Sequence, residues 1–386
     1  MSQTPSPVPP ILLHESLLPY QQNHHVIIDT DLGSDDVFAI TNLTAATLKN
    51  PNMKICAISL VKGMQLHLDR GIDLIQRMQQ FSNFLPANCQ LFMGSSERIS
   101  NEKSSHCFSE AKWFQDYDFY RIHRDLADLI QLPKVNTELG LLPVIPEKEY
   151  EDEMIKLLEQ APHDSYYTWF SIGPLTNLAK LCKKNSELVK KKLKMVIIMG
   201  GALFVKEPEN EKNGSEWNFF CDGEAAKIVL ETLSEKILLF ELSVANLTVV
   251  SQDNLKVMQE IISTPYEKSL PPIVKIRHEL LLVTLESTSY DTSTSCVMFC
   301  PELFTFQQVE IQAFGQDPLE GVIQLVAQNE NNDYSNNGHE ENCEIIRTEY
   351  SSSKSNRIKI WCATSIHKER FFEIVKERLL DFSEYY

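Results

Sequence analysis

Short apolar runs without polar alternation mark the first half of the chain. They lie at 25–28, 55–61, 167–172 and 195–199 and are rich in β-branched and aromatic residues. Runs of this kind are typical of strands that are buried on both faces of a parallel sheet. Helical patterns occupy 35–48, 68–78, 176–193 and 223–233. The order of strand, polar turn and helix predicts an α/β protein built from βαβ units, in which ligands bind at the carboxyl ends of the strands.

The C-terminal part of the chain differs in composition from the rest. Residues 328–356 are rich in Asn and Ser, which predicts a solvated loop insertion without chemistry, interrupted by a brief strand at 343–346. Residues 357–363 predict a further strand, and 366–382 predict a closing amphipathic helix. We expect a flexible tail at 1–23 and a single domain at 24–386.

Composition and charge exclude several classes of protein. The chain has 386 residues, 43% of them hydrophobic, and a formal net charge of −17. The acidity argues against nucleic acid or an anionic membrane as a partner, because both require a basic surface. The apolar runs are also far shorter than the ~20 residues that span a membrane. Nine cysteines without metal-ligand spacing, and an N-terminus unlike a secretory signal, lead us to expect a cytoplasmic protein with reduced thiols.

An acidic turn follows the first apolar run. Four carboxylates fall within eight residues there: Asp29, Asp31, Asp35 and Asp36. Gly33 permits a tight turn, and Ser34 or Asp35 is placed to cap the helix that follows. One or two acids at a helix N-terminus are explained by the helix dipole, but four converging carboxylates repel one another unless a cation joins them. The turn therefore indicates either a capping cluster or, better, a site for Ca²⁺ or Mg²⁺, which prefer oxygen ligands.

The acidic turn also carries a resemblance to a known family. Asp29-Thr-Asp-Leu-Gly-Ser-Asp-Asp resembles the D-T-D-P-G-x-D-D opening of the inosine-uridine nucleoside hydrolases. Further blocks follow in that family's order: Ile172-Gly-Pro-Leu-Thr-Asn-Leu-Ala, Met199-Gly-Gly-Ala, Glu216-Trp-Asn-Phe with Asp222, and Tyr290-Asp291 ahead of Pro301-Glu-Leu-Phe. The resemblance spans about 25–380. It implies an open, largely parallel α/β sheet with helices on both faces.

The resemblance also implies an activity and a set of site residues. The family cleaves the N-glycosidic bond of ribonucleosides with a bound Ca²⁺. Its metal ligands fall on Asp31, Asp36, Asp291 and the backbone carbonyl of Ile172, and Asp31 becomes the general base toward the attacking water. Its ribose contacts fall on Asp35, Asn210, Glu216 and Asn218, with Asn213 as the alternative to Asn210. A ribonucleoside is thus the expected partner, and the expected assembly is a homo-oligomer, a dimer or a tetramer.

The sequence departs from the family pattern at four places. Met64 stands where an Asn normally helps to hold the water or the ribose. Tyr290 replaces the histidine that protonates the departing base in the family. His123 lies in a segment that only weakly resembles the family's other histidine-containing loop. Either residue is a candidate acid. Leu32 replaces a proline, from which we expect a loss of turn rigidity and no loss of chemistry.

Two further interpretations remain open. A catalytically inactive relative that still binds metal or ribose is favoured by Met64 and Tyr290, whereas the complete set of metal ligands favours an enzyme. A haloacid-dehalogenase-like phosphatase is suggested by Asp29 and Asp31 after an apolar strand. That motif usually has Thr or Val where Gly33 stands, and it leaves Asp291 unexplained.

Overall fold

The structure is a computed structural model, and its described residues cover most of the expected domain. They are 24–99, 124–160, 166–205, 214–248, 253, 256–258, 260, 272–283, 290–316, 319–326 and 357–378. The expected tail and the Asn/Ser-rich insertion lie outside these ranges, as do three candidate site residues: His123, Asn210 and Asn213.

The described chain alternates strands and helices from its beginning. The strands are β1 (His24–Thr30), β2 (Met53–Leu60), β3 (Gln90–Met93), β4 (Val144–Ile145), β5 (Tyr166–Ile172), β6 (Leu193–Met199), β7 (Ile237–Phe240), β8 (Phe304–Ala313), β9 (Ile323–Leu325) and β10 (Ile358–Ile366). The helices are α1 (Ser34–Lys49), α2 (Leu68–Ser82), α3 (Leu126–Leu129), α4 (Tyr150–Glu159), α5 (Thr176–Lys192), α6 (Trp217–Cys221), α7 (Gly223–Leu233), α8 (Leu242–Asn246), α9 (Pro272–Val283), α10 (Tyr290–Ser295) and α11 (Lys368–Arg378). Among these helices, none has the length and apolar character needed to cross a membrane.

The strands form one sheet, which confirms the predicted fold class. Its order is β4-β3-β2-β1-β5-β6-β7-β10-β8-β9. Every pair from β4 to β10 is parallel, and antiparallel pairing begins only at β8. The chain runs from β1 outward to β4 and then resumes with β5 on the other side of β1. The boundary between β1 and β5 is therefore a topological switch point, where open α/β sheets bind ligands beyond the carboxyl ends of their strands.

The sheet is buried on both faces, as the apolar runs predicted. Along β1, Ile28 packs into one hydrophobic cluster and its neighbour Ile27 into the other. Helices α1, α2, α9 and α11 contribute buried residues to the first cluster, and α4, α5 and α7 contribute to the second. Because successive strand residues point to opposite faces, two helical layers give each strand two apolar surfaces to bury.

Several boundaries differ from the sequence prediction. Strand β6 begins at Leu193, so the preceding helix ends one residue earlier than expected and the strand begins two residues earlier. Ile366 is the last residue of β10, and α11 begins at Lys368. Strands β3 and β7 were missed because four residues carry little periodicity. Strand β8 was missed because it alternates buried and exposed positions, whereas the strand prediction rested on continuous apolar runs.

Candidate functional site

Three turns meet at the switch point, just beyond the carboxyl ends of β1, β2 and β5. Thr30 at the end of β1 lies beside Ile172 at the end of β5. The turn after β2 is tied to the end of β1 by the backbone. Its Val61 N–H donates to Thr30 O over 3.0 Å, and its Gln65 N–H donates to Asp31 O over 2.9 Å. The residues of these turns are therefore fixed relative to one another by the sheet.

Asp31 is held in one orientation by the turn after β2. Its side chain is buried, and Oδ2 accepts a hydrogen bond from the backbone N–H of Met64 over 2.7 Å. Gly63 lies directly against this carboxylate, since a Cβ built on Gly63 would stand 2.0 Å from Oδ2. The close approach is possible only because residue 63 has no side chain.

Leu32 adopts a backbone conformation that a proline cannot reach. Its φ is +53°, in the left-handed region, whereas the proline ring fixes φ near −65°. Its N–H, a donor that proline lacks, bonds to the hydroxyl of Thr30 over 3.0 Å. The expectation that this substitution alters only rigidity is therefore wrong, because the turn follows a path that the family's proline would not permit.

The first turn of α1 supplies two more carboxylates. The helix begins at Ser34 with Gly33, which has no side chain, as its N-cap, so neither Ser34 nor Asp35 occupies the expected N-cap position. Asp36 instead accepts a hydrogen bond from the Thr30 hydroxyl at the end of β1. The short turn therefore directs the acids of the helix back toward the strand ends.

Asp35, Asp36 and Asp291 form a compact carboxylate cluster. One oxygen from each lies within 4.8 Å of the others. Asp291 comes from the first turn of α10, far away in sequence, and its carboxyl group hydrogen-bonds that of Asp36. Two carboxyl groups in such contact must share a proton or a cation. Asp291 Oδ1 is buried and accepts no hydrogen bond from the described part of the chain, which fits an oxygen ligand aimed at a cation.

The electrostatics of the cluster point to the same conclusion. Burial, with the charges of Asp35 and Glu216, raises the pKa of Asp31 to about 7. Burial raises the pKa of Asp35 to about 6, and burial with neighbouring carboxylates holds the pKa values of Asp36 and Asp291 well above their usual range. Carboxylates arranged in this way retain protons near neutral pH unless a cation compensates their charge.

Glu216 and Asn218 lie at the start of α6, beside the carboxyl end of β6. Glu216 caps that helix, since its carboxylate accepts from the backbone N–H groups of Asn218, at 2.8 Å, and Phe219, at 3.2 Å. It also accepts from Gly201 N–H over 2.9 Å. The side-chain amide of Asn218 donates to Met199 O over 3.2 Å. Both side chains are thus positioned by backbone groups, and the charge of Glu216 reaches Asp31.

The aromatic residues around Glu216 divide between core and rim. Phe219 is fully buried in the second hydrophobic cluster, so it packs in the core and does not line a base pocket. Trp217 is partly exposed and stands 6.1 Å from Phe220, ring centre to ring centre. Of the three aromatic residues in this block, Trp217 is therefore the one whose exposed surface is able to contact a ligand.

The two residues that depart most from the family pattern both adjoin the carboxylates. Tyr290 precedes Asp291 at the start of α10, is half-buried and packs against the first hydrophobic cluster. Met64 is half-buried beside the acidic turn and holds Asp31 through its backbone, which any residue type other than proline would allow. The change from Asn to Met therefore leaves the orientation of Asp31 intact and replaces only the polar side chain.

Sequence reasoning missed one buried residue of the site, Asn177. It belongs to the block at 172–179, for which the sequence suggested no role beyond the resemblance. Its side chain is fully buried and donates a hydrogen bond to Asp29 Oδ1 over 2.7 Å. The sequence grouped Asp29 with three other carboxylates, but in the structure its carboxylate is hydrogen-bonded to the side-chain amide of Asn177. The signal that was available is the amide itself, since it lies among the apolar residues at the start of the helix, where a buried polar side chain must find partners.

Comparisons with known proteins identify a family and relatives that this chain resembles. The family model described as "Inosine-uridine preferring nucleoside hydrolase" matches residues 26–373, which removes the phosphatase interpretation. The pyrimidine-specific ribonucleoside hydrolase RihA of Shewanella baltica (strain OS185) is 28% identical over 214 residues, 54% of this chain and 56% of that protein. Uridine nucleosidase 1 of Arabidopsis thaliana is 27% identical over 236 residues, 61% of each chain. The matched segment thus spans little more than half the length of these relatives.

Solved structures show the same fold. A purine-preferring ribonucleoside hydrolase from Gardnerella vaginalis superposes with a TM-score of 0.65 at 17% identity, covering 94% of this chain and 100% of that one. An inosine-guanosine nucleoside hydrolase gives a TM-score of 0.66 at 21% identity, covering 93% and 99%. At these identities the likeness establishes the fold of the chain.

Proposed function

The chain belongs to the inosine-uridine preferring nucleoside hydrolase family, and from this premise we propose that it hydrolyses the N-glycosidic bond of ribonucleosides, giving ribose and free base in a Ca²⁺-dependent reaction. The observation that carries the proposal is the cluster of half-buried Asp35 with buried Asp36 and Asp291, beside the oriented carboxylate of Asp31. Such a cluster is costly to bury and fits a cation and a developing positive charge.

The donors at the switch point suit a calcium ion. Asp31, Asp36, Asp291 and the backbone carbonyl of Ile172 would hold it, with ribose hydroxyl groups completing the coordination. All four are oxygen ligands, and Asp291 Oδ1 is a buried acceptor without a protein donor in the described chain. When bound, the cation would lower the pKa of a water molecule and anchor the ribose.

Asp31 is the base in this proposal. Met64 N–H fixes the carboxylate through Oδ2, and the remaining lone pairs would serve to bind the cation and to take the proton of the attacking water. The transition state resembles an oxocarbenium ion, whose positive charge the surrounding carboxylates stabilise without having to reorient.

The ribose contacts come from two sides of the switch point. Asp35 lies on the side of α1, and Glu216 and Asn218 lie on the side of α6. The carboxylate of Glu216 is held in place for this role by the backbone hydrogen bonds that it accepts. Asn210, or Asn213 in its place, is proposed to complete this set.

Departure of the base requires a proton, for which the candidates are Tyr290 and His123. A phenol with a pKa near 10 is a weaker acid at neutral pH than an imidazolium near 6.5. We therefore propose slow cleavage of nucleosides whose base leaves poorly, and faster cleavage of substrates with an activated leaving group.

A second candidate function is that of an inactive relative that binds metal or ribose without turnover. Two observations favour it. Met64 places an apolar side chain at the acidic turn, and Tyr290 takes the position of the expected acid. The retained carboxylate cluster is common to both candidates, so only turnover separates them.

The test is a screen of the purified protein against purine and pyrimidine ribonucleosides, with added Ca²⁺ and with a chelator, measuring released base. We expect release that depends on Ca²⁺, together with about one bound Ca²⁺ per chain by calorimetry. Asp36→Ala and Asp291→Ala should each abolish that binding. Bound Ca²⁺ without release of any base would favour the inactive relative, and intact binding in Asp291→Ala would reject its assignment as a ligand.

A further inference from the structure

A buried amide joins three strand ends beneath the acidic turn. Asn177, at the start of α5, donates from Nδ2 to Asp29 Oδ1 over 2.7 Å, to Ser59 Oγ over 2.9 Å and to Leu60 O over 3.0 Å. Its Oδ1 accepts from the backbone N–H of Ser95 over 2.8 Å. One side chain thus connects β1, β2 and the loop that follows β3.

These contacts continue to Asp31 through the backbone. Ser95 O accepts from Lys62 N–H over 3.0 Å, which fixes the turn after β2 at one point. Two residues further on, Met64 N–H donates to Asp31 Oδ2 over 2.7 Å. Asn177 therefore holds both Leu60, where the turn begins, and Ser95, which anchors its middle.

The environment of the amide leaves little room for another arrangement. Asn177 is fully buried, and a Cβ built on Gly94 would stand 2.5 Å from its Nδ2 and 2.6 Å from its Oδ1. In such a site a hydrogen-bond donor that is lost cannot be replaced by water without displacing the backbone around it.

We propose that Asn177 is a positioning residue, which fixes the turn after β2 so that Met64 N–H holds the carboxylate of Asp31 in its working orientation. The inference rests on the proposed function only in naming Asp31 as a base and metal ligand. Asn177 touches neither substrate nor cation and acts through Leu60, Ser95 and Met64.

The test compares Asn177→Asp with Thr168→Val in the full-length protein. Asn177→Asp keeps the size of the side chain and an acceptor for Ser95 N–H but removes both amide hydrogens. Thr168→Val is the matched control, because it removes a buried hydrogen bond, 2.6 Å to His24 Nε2, near the amino ends of β1 and β5 and away from the acidic turn. Asn177→Ser serves if Asn177→Asp does not fold.

Three readouts separate positioning from mere stability. The first is hydrogen exchange of the Met64 amide, and the second is Ca²⁺ affinity by calorimetry. The third is kcat against KM with a nucleoside substrate. Because changes just outside the ligands of a metal typically cost 10–100-fold, we expect Asn177→Asp to weaken Ca²⁺ binding by about tenfold and to lower kcat similarly with little change in KM. Met64 exchange should be faster in this variant and unchanged in Thr168→Val.

The proposal would be overturned if a folded Asn177 variant kept both the exchange rate of the Met64 amide and the Ca²⁺ affinity within about twofold of wild type, whatever the change in Tm. Failure of the proposed function looks different. A wild-type protein without turnover would still show the faster Met64 exchange in Asn177→Asp if Asn177 positions the turn.

Discussion

Adding a single methyl group at residue 63 should displace the proposed base. In Gly63→Ala the new Cβ would stand 2.0 Å from Asp31 Oδ2 and 2.7 Å from both Cβ and Cγ of the same side chain. Van der Waals contact begins at ~3.5 Å, so the carboxylate or the turn must move by more than about 1 Å. Because the hydrogen bond to Met64 N–H would then be lost, the variant should forfeit about 1.5–3 kcal/mol of stability.

The effect on turnover should be comparable in free energy to the effect on folding, because a hundredfold loss of rate corresponds to about 2.7 kcal/mol. A displacement of about 1 Å at a reacting group costs roughly 10²-fold in rate, so we expect kcat for nucleoside hydrolysis to fall by about that factor. The control is Gly140→Ala, since a Cβ at residue 140 meets no atom within 4 Å. Initial rates and thermal unfolding of both variants are measured side by side. Turnover in Gly63→Ala equal to that in Gly140→Ala would refute the role given to the orientation of Asp31.

Three further predictions address other features of the molecule. If Tyr290 limits protonation of the departing base, Tyr290→His should raise the rate of inosine hydrolysis more than that of p-nitrophenyl riboside hydrolysis. Fast inosine turnover that persists in a Tyr290→Phe, His123→Ala double variant would contradict this role of Tyr290. Leu32→Pro should lower both Tm and kcat, because its φ of +53° and its N–H are incompatible with proline; unchanged unfolding would show that the turn follows another path. Burial lowers the pKa of His24 to about 4, so between pH 6.5 and 4 the unfolded chain binds a proton that the folded chain does not. The stability advantage of wild type over His24→Gln should therefore shrink by up to about 3 kcal/mol as the pH falls through that window. A pH-independent difference in denaturant unfolding would contradict the last prediction.

The parallel sheet and the acidic turn were predictable from the sequence because both are local signals. Apolar runs such as 195–199 and the spacing of Asp31 and Asp36 lie within a few residues of one another. The partnership of Asp36 with Asp291 was reachable only through the resemblance to a family, since nothing in either segment indicates the other.

The remaining features depend on contacts that no local pattern encodes. Asn177 acts through strand ends that are more than eighty residues away, as its bond to Ser95 shows. The backbone of Leu32 and the contact of Gly63 with Asp31 are consequences of how the turns meet at the switch point. Sequence predicts which residues carry the chemistry, but the packing of the turns decides how each is oriented.

The most direct measurement of the central claim is the rate of base release by Asp31→Asn compared with wild type, at saturating Ca²⁺ and with folding checked by circular dichroism. Asparagine keeps the shape of the side chain and its acceptor for Met64 N–H, but it cannot take up a proton and is a weaker cation ligand. Loss of the base and of a metal ligand together should reduce turnover by at least ~10³-fold. A folded Asp31→Asn protein that releases base at a rate close to that of wild type would contradict the account.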